Sequence, residues 1–278
     1  MTVTRRLFGA ALAATAALGL AVPASAQSAT QALASESVLN SIQEDGVIRI
    51  GLSIFTPWSM RDINGDLIGF ELDVGRQLAE DLGVEVEFVP TSWDGIIPAL
   101  LAGNFDVIIS GMSWTAQRNL TVNFSDPYAY SGMALYSNIA MTEGMTIEDY
   151  NSPDITFAAR RGATPAVAIA SEFPLATLLL FDEDGAATQE VLNGNAHATV
   201  ASQPSPDREV ARYPDTLHIP FDVLLDPSGE AFAMRKGDPD ALSFFNNWIA
   251  AQWRSGWLEE RHDYWFVSDD WADQVPAE

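Results

Sequence analysis

The stretch DVIISGMS at residues 106–113, followed five residues later by Arg118, decides the fold of this 278-residue chain. Its apolar start predicts a buried strand, and residues 115–120 predict the first turns of a helix. In open α/β sheets, ligands lie outside the carboxyl ends of the strands, where helix N-termini and free backbone N–H groups point. A guanidinium there offers a planar fork that matches a carboxylate. The pattern therefore predicts anion binding at Arg118, against the alternative of a surface salt bridge.

Strand and helix patterns alternate on both sides of this stretch, which predicts an α/β protein. The first series has strands at 47–52, 84–89 and 106–109 and helices at 69–82 and 94–101. The second series has strands at 155–159, 177–181 and 198–201 and helices at 165–172 and 184–192. A strand at 230–234 and helices at 239–254 and 256–261 follow. Gly83 and Gly103 stand where helix ends are expected. Two such series predict two lobes, each with a parallel sheet.

The first 26 residues are typical of a cleavable export signal. Arg5 and Arg6 precede an uncharged stretch at 7–22, and Ala-Ser-Ala at 24–26 is a small-residue cleavage site. Both the general secretory route and the twin-arginine route remain open. Residues 27–40 are predicted to be frayed or weakly helical. These features place the mature protein outside the cytoplasm.

The composition excludes several classes of function. The chain has 38 acidic and 14 basic residues and a formal net charge of −24, which disfavours nucleic acid and anionic membranes as partners. It contains no cysteine and three scattered histidines, so neither a thiolate nucleophile nor a metal site is indicated. No phosphate loop, dinucleotide fingerprint or serine-hydrolase elbow occurs. We therefore expect no metal and no cofactor.

The remaining signals describe a cleft for a small molecule. Four aromatic residues fall near predicted strand ends, and we interpret Phe55 and Trp93 as the better candidates for cleft walls, with Trp58 and Trp114 weaker. For each of them, core packing is the alternative role. In the second series, residues 161–165 close a strand and open a helix, so free N–H groups and the Thr164 hydroxyl predict a second anion-binding corner, or a simple helix cap.

Several motifs occur in an order that resembles one known family. They are IGFELD at 68–73, WDGIIPAL at 93–100, SGMS at 110–113 with Arg118, FSDPY at 124–128, RGAT at 161–164 and RKGD at 235–238. With them, nearly the whole mature chain resembles the periplasmic solute-binding proteins of polar amino-acid ABC importers, family 3. The resemblance implies the two-lobed periplasmic binding protein fold of type II, with two crossover strands joining the lobes.

The resemblance also implies boundaries and a binding site. Lobe one would comprise 40–129 plus 230–278 and lobe two 134–225, with hinges near 129–133 and 226–230. Arg118 would pair with the ligand carboxylate. The residues implied to complete the site are Ser110, Gly111 and Ser113 from lobe one, and Ala163, Thr164 and Ser202 from lobe two.

One departure concerns the ligand's positive group. The family usually holds an α-ammonium with two carboxylates, and the matching positions here are Ser53 and Ser202. Because a buried ammonium without a carboxylate is costly, either Glu71, Asp94 or Glu230 substitutes, or the ligand lacks a primary ammonium. A methylated or cyclic zwitterion held by aromatic faces would satisfy the second alternative.

The sequence thus predicts a monomeric, non-enzymatic receptor that delivers a small carboxylate-bearing solute to an inner-membrane ABC permease. An alternative is an exported enzyme on the same fold, such as a cyclohexadienyl-type dehydratase acting on a cyclic amino or keto acid. Such an enzyme needs a general acid over the leaving group. A sensor domain or co-receptor would keep the cleft and change the partner.

Overall fold

A computed structural model describes residues 37–222 and 225–275 of the chain. The predicted export signal at 1–26 and residues 27–36 lie outside the described residues. In the part that is described, no helix is long and apolar enough to cross a membrane.

Helices and strands alternate along most of the described chain. The strands are β1 (Val47–Leu52), β2 (Met60–Arg61), β3 (Leu67–Ile68), β4 (Glu85–Pro90), β5 (Val107–Ile108), β6 (Asn123–Asn138), β7 (Thr156–Arg160), β8 (Thr177–Phe181), β9 (Ala198–Ser202), β10 (Leu217–His218) and β11 (Leu225–Met234). The α-helices are α1 (Val38–Asp45), α2 (Phe70–Leu82), α3 (Trp93–Leu101), α4 (Ala116–Asn119), α5 (Ile139–Thr142), α6 (Thr164–Glu172), α7 (Asp184–Leu192), α8 (Ser205–Arg212), α9 (Pro239–Ser255) and α10 (Trp257–His262). A π-helical turn spans Asp263–Val267, and 3-10 turns span Ile147–Tyr150 and Ala272–Gln274.

Each lobe is built on three parallel strands. In lobe one, β1 lies between β4 and β5, and Ile50 pairs with Phe88 on one side and with Val107 on the other. In lobe two, β7 lies between β8 and β9, and Ala158 pairs with Leu179 and Thr199. The parallel arrangement predicted for both series is therefore present.

Two long antiparallel strands connect the lobes. β6 and β11 pair with each other, and they join the two parallel sets into one nine-stranded sheet of order β4-β1-β5-β11-β6-β9-β7-β8, with β10 on β6. The predicted crossover segments near 129–133 and 226–230 lie within these strands. The numerical boundaries predicted for the lobes stay a prediction.

Local sequence explains most helix ends. Gly83 follows α2 in the left-handed region (φ 71°), where its N–H caps the helix by donating to the carbonyl of Ala79. Asp238 begins α9 by accepting the N–H of Ala241, and it also accepts the N–H of Val38 at 2.7 Å. This second bond ties α1 to the start of α9.

Each lobe has its own apolar core. In lobe one, Trp58, Phe70, Tyr128 and Phe232 are at most 1% exposed and pack together with the C-terminal helices. In lobe two, Tyr150, Phe157, Phe173 and Phe221 form an aromatic cluster, and the rings of Phe157 and Phe173 stack at 4.9 Å. Burial of one such side chain contributes about 1.5–3 kcal/mol, so each lobe is stabilised mainly by its own core.

Candidate functional site

The loop that follows β5 forms the lobe-one side of the site. Gly111 adopts φ 52°, and a Cβ at that position would lie 3.4 Å from Trp58 and 3.6 Å from Glu71, so glycine suits it best. The N–H of Gly111 donates to Glu71 Oε1, which also accepts the hydroxyl of Tyr128 at 2.6 Å. Ser110 Oγ accepts the N–H of Ser53 at 2.8 Å. Hydrogen bonds to buried groups therefore fix the conformation of this loop.

Arg118 extends from this loop toward lobe two. Thr115 begins the short helix α4 by accepting the backbone N–H of Arg118 at 3.1 Å. The guanidinium then donates from Nη1 to the carbonyl of Ser113 at 2.8 Å and from Nη2 to the carbonyl of Gly162 at 3.2 Å. Gly162 lies between β7 and α6. We call the region where the turns 110–118 and 160–164 meet the cleft.

The charge of Arg118 is retained despite its burial. The side chain is half-buried, and burial lowers its pKa from 12.5 to about 10, so it is still protonated at neutral pH. Among the side chains that the structure describes, no carboxylate forms an ion pair with it. Arg118 is thus a cation whose partners in the cleft are carbonyl oxygens.

Arg160 is a second cation in the cleft, which the sequence analysis did not identify. It is the last residue of β7 and only 5% exposed, and its Nη2 donates across the cleft to Ser53 Oγ. Burial lowers its pKa. The only available signal was an arginine at the carboxyl end of an apolar strand. The neighbouring Arg161, the first residue of the motif RGAT at 161–164, is exposed and forms an ion pair with Asp182 at 3.2 Å.

Trp93 lies against both cationic side chains. The guanidinium carbon of Arg118 is 5.4 Å from the centroid of its ring, and that of Arg160 is 5.1 Å away. Both distances are within the range of cation–π attraction. Trp93 begins α3 in lobe one, so this ring supports one cation from each lobe.

Ala163 and Thr164 form the start of helix α6. The N-cap is Ala163, which offers no side-chain acceptor, and Thr164 is the first helical residue. The alternative that the Thr164 hydroxyl caps this helix is therefore wrong, because Thr164 lies one position too far along. A cavity of about 650 Å³ brings Arg118 and Thr164 together and is also lined by Gly162, Val167 and Ser171.

The other predicted residues lie at different distances from this centre. Phe55 stacks on Trp58 with ring centroids 6.2 Å apart and packs on the lobe-one core. Ser202 ends β9 and pairs through its backbone with Met133. Among the hydrogen bonds and ring contacts of the described residues, none links Phe55 or Ser202 to either arginine. Trp58 is buried in the core, and Trp114 is 58% exposed.

Two buried carboxyl groups lie behind the loop at 110–113. Glu71 and Glu230 are each 1% exposed, and burial raises their pKa to about 8 and about 7. Ser131 donates to Glu230 Oε1 at 2.5 Å, whereas the Oε2 atoms of both groups have no partner within the described structure. Asp94, the third substitute considered, is exposed at the start of α3. Glu71 is therefore largely neutral at pH 7.

Metal binding finds no support in the described region. No group of three or more histidine, aspartate or glutamate side chains there lies close enough to hold a metal ion.

The fold and the cleft together define a solute-binding protein of two lobes, in which a turn from each lobe meets around Arg118. The chain belongs to family 3 of the bacterial extracellular solute-binding proteins, whose sequence model matches residues 48–268. It is similar to the crystal structure of the ancestral amino acid-binding protein AncCDT-1, a precursor of cyclohexadienyl dehydratase. The two are 37% identical, the match covers 83% of this chain and 99% of the other, and the TM-score is 0.74.

Two curated relatives illustrate what the family contains. The L-cystine-binding protein TcyJ of Escherichia coli (strain K12) is 28% identical, over 90% of this chain and 94% of its own. The cyclohexadienyl dehydratase of Pseudomonas aeruginosa is 27% identical, over 84% of this chain and 87% of its own. Proteins similar to this chain thus include both binding proteins and an enzyme.

Proposed function

We propose that this protein is the extracytoplasmic receptor of an ABC importer, which binds an amino acid or a related small carboxylate between its lobes and delivers it to a permease. Family membership supports a binding role, since family 3 consists mainly of solute-binding proteins, and two of the similar proteins are named for binding amino acids. Binding without catalysis is part of the proposal.

The observation that carries the proposal is the position of Arg118. Arg118 is half-buried and has no carboxylate partner among the described side chains. Burial therefore removes part of its hydration, and no ion pair compensates for that loss. A ligand carboxylate supplies that pair in the planar geometry that guanidinium favours. Its bonds to Ser113 and Gly162, one in each lobe, support a ligand position at the junction of the lobes.

The remaining site residues receive supporting roles. Ser110, Gly111 and Ser113 form the loop that positions Arg118, and Ala163 and Thr164 bring the N–H groups of α6 to the opposite side of the same carboxylate. Phe55 and Trp93 would form walls, and Ser202 would contribute from the end of β9. Ligand-induced closure would bury the solute, and the permease would recognise the closed form.

Location and assembly complete the proposal. We place the mature protein in the periplasm as a monomer, exported by the signal at 1–26. N-terminal sequencing of the protein purified from the periplasm should begin at Gln27. A mature protein that still carries residues 1–26 would contradict the export assignment.

A binding screen tests the receptor function. The mature protein is heated in the presence of one amino acid, betaine or organic acid at a time. A solute that binds, present at a concentration 100 times its Kd, should stabilise the fold by about 2.7 kcal/mol. A raised melting temperature with at least one carboxylate-bearing solute is expected. No shift with any of them would reject the proposal.

A dehydratase is the second candidate, because one relative is a cyclohexadienyl dehydratase and because Glu230, with a pKa of about 7, could be protonated as a general acid. Incubation with cyclohexadienyl amino and keto acids, followed by detection of the dehydrated product, distinguishes it from a receptor. Turnover that is lost in Glu230→Gln would favour the enzyme.

A further inference from the structure

Arg160 is a buried charge for which the described structure provides incomplete compensation. The side chain is 5% exposed, Nη2 donates to the neutral hydroxyl of Ser53, and Nε has no hydrogen-bond partner within the described structure. A buried guanidinium is costly unless an anion and a full set of hydrogen bonds compensate it. Its position therefore indicates a missing acceptor.

The carboxylates around Arg160 do not supply that acceptor. Glu183 and Asp184 at the start of α7, and Asp94 at the start of α3, act on Arg160 only through longer-range attraction, and no described carboxylate lies within 4.0 Å of its nitrogens. Glu183 and Asp94 are exposed to solvent, where salt weakens their effect. Asp184, the strongest of the three, is partly buried and attracts Arg160, but it makes no hydrogen bond to the guanidinium, so the acceptor position stays open.

Two cationic side chains, one from each lobe, lie on the same ring in the cleft. The guanidinium carbons of Arg118 and Arg160 lie 5.4 Å and 5.1 Å from the centroid of the Trp93 ring, so the two cations are neighbours in the cleft. Ser53 and Ser202, which the family resemblance matches to carboxylates that hold an ammonium, are uncharged. The carboxyl group of Glu71 is directed to Gly111 and Tyr128 behind the loop.

We propose that Arg160 and Ser53 form a second anion subsite and that the solute carries two carboxylates, as in an acidic amino acid or a short dicarboxylate. The inference rests on the proposed receptor function. One carboxylate pairs with Arg118, the other replaces the Ser53 hydroxyl as the partner of Arg160, and the carbon chain between them lies beside Trp93. A lysine or arginine side chain would instead meet two like charges.

Matched pairs of solutes test the inference, because glutamate and glutamine, or aspartate and asparagine, differ mainly in the charge of one group. Calorimetry on the mature protein should give a Kd at least about tenfold lower for the acid than for its amide, as the loss of a charge-assisted bond predicts. Succinate should also bind, and L-lysine should have the highest Kd of these solutes.

Variants of Arg160 separate recognition from folding. Arg160→Gln should reduce the preference for the acid to less than about threefold while glutamine affinity changes little. Arg160→Lys should restore part of the preference, and Ser53→Asp should lower glutamate affinity by supplying Arg160 with an internal carboxylate. Arg161→Gln, at the exposed neighbour, should leave the preference unchanged. Circular dichroism and the melting temperature of each unliganded variant check the fold.

The outcomes distinguish this inference from the receptor function on which it rests. If glutamine or lysine binds as tightly as glutamate, or if Arg160→Gln keeps the preference for the acid, the second subsite is wrong and the receptor function stands. If no carboxylate-bearing solute of any charge binds, both are wrong.

Discussion

Arg118 and Gly162 face each other across the cleft, and Nη2 of Arg118 donates to the carbonyl oxygen of Gly162 at 3.2 Å. The same guanidinium donates to Ser113 in its own lobe at 2.8 Å. One side chain thus ties the loop after β5 to the turn before α6. Because a ligand bound to Arg118 would contact both turns, its binding energy favours the closed arrangement of the lobes.

Replacement of Arg118 tests the first consequence of this arrangement. In Arg118→Ala, a buried ligand carboxylate loses a charge-assisted partner that contributes about 1.5–3 kcal/mol, so affinity should fall by at least about tenfold. The fold should persist, because Arg118 lies in a short surface helix outside the two cores. Titration calorimetry with the solute identified by screening measures the change.

The control for Arg118 is Arg254→Ala, which removes an exposed arginine from the last turn of α9. It alters the net charge equally and should leave the Kd unchanged. Equal affinity of wild-type protein and Arg118→Ala would remove Arg118 from the site.

Trp93 provides a second prediction, because it contacts both cations. Trp93→Leu removes two cation–π contacts, each worth about 0.5–2 kcal/mol. Ligand affinity should fall about fivefold or more, since both guanidinium groups lose the surface that orients them. Fluorescence or calorimetric titration measures the change. Trp257→Leu, at the start of α10 and outside the turns that form the cleft, serves as the control, and an equal loss in both variants would contradict the role given to Trp93.

Alanine substitutions at two glycines should change the free energy of unfolding in opposite directions. A Cβ on Gly51 in β1 would collide with the ring of Phe105, whereas a Cβ on Gly185 in α7 meets nothing within 4 Å. Gly51→Ala should therefore destabilise the fold by about 1–3 kcal/mol. Gly185→Ala should stabilise it by about 0.4–1 kcal/mol, because alanine restricts the unfolded chain at no steric cost.

Denaturant titrations followed by circular dichroism measure both glycine variants. A Gly51→Ala protein as stable as wild type would show that the β1–Phe105 packing is looser than described. A destabilised Gly185→Ala protein would contradict the open environment of α7.

Local periodicity was sufficient for the short elements of both lobes. The predicted ranges 47–52, 177–181 and 184–192 coincide with β1, β8 and α7, because each has a clear apolar pattern between turn residues. The end of α2 at Gly83 was equally accessible, since a left-handed residue suits glycine. The pairing of these elements into a two-lobed fold came from the ordered motifs.

Long-range pairing explains what the sequence did not predict. β6 runs for 16 residues through Ser125, Asp126 and Pro127, which locally indicate a turn, and it persists because β11 and β9 pair along it. The hairpin β2–β3 and helix α8 were missed as well, since both are short and polar in part.

Contacts between residues far apart in sequence also limit what could be predicted about the candidate site. Arg118 was accessible because it follows a strand within a recognisable motif, and its binding role stays a prediction. Arg160 became visible only when folding brought it to Ser53, 107 residues away in sequence. The bond from Gly111 to Glu71 likewise joins residues 40 positions apart, which no local pattern can indicate.

Glu71 makes the stability of the fold depend on pH. Burial raises its pKa from 4.5 to about 8, and the pKa of Glu230 rises to about 7. The folded state therefore holds protons that the unfolded chain releases above pH 4.5. This stabilisation is fully present below pH 4.5 and is lost as pH rises through about 7 for Glu230 and about 8 for Glu71. Each group contributes a slope of up to about 1.4 kcal/mol per pH unit within its window.

Glu71→Gln removes one of these two titrations and keeps an oxygen that can accept from Tyr128. The free energy of unfolding, measured in urea at pH 5, 6, 7 and 8, should decline less steeply than in wild type, with the largest difference in slope between pH 5 and 7, where Glu71 of the folded wild-type protein keeps its proton and the unfolded chain has released it. Glu80→Gln, on the exposed face of the same helix, should keep the wild-type slope. Identical slopes in all three proteins would mean that Glu71 is ionised in the folded state, and its buried carboxyl would then need a cation that the described structure does not place there.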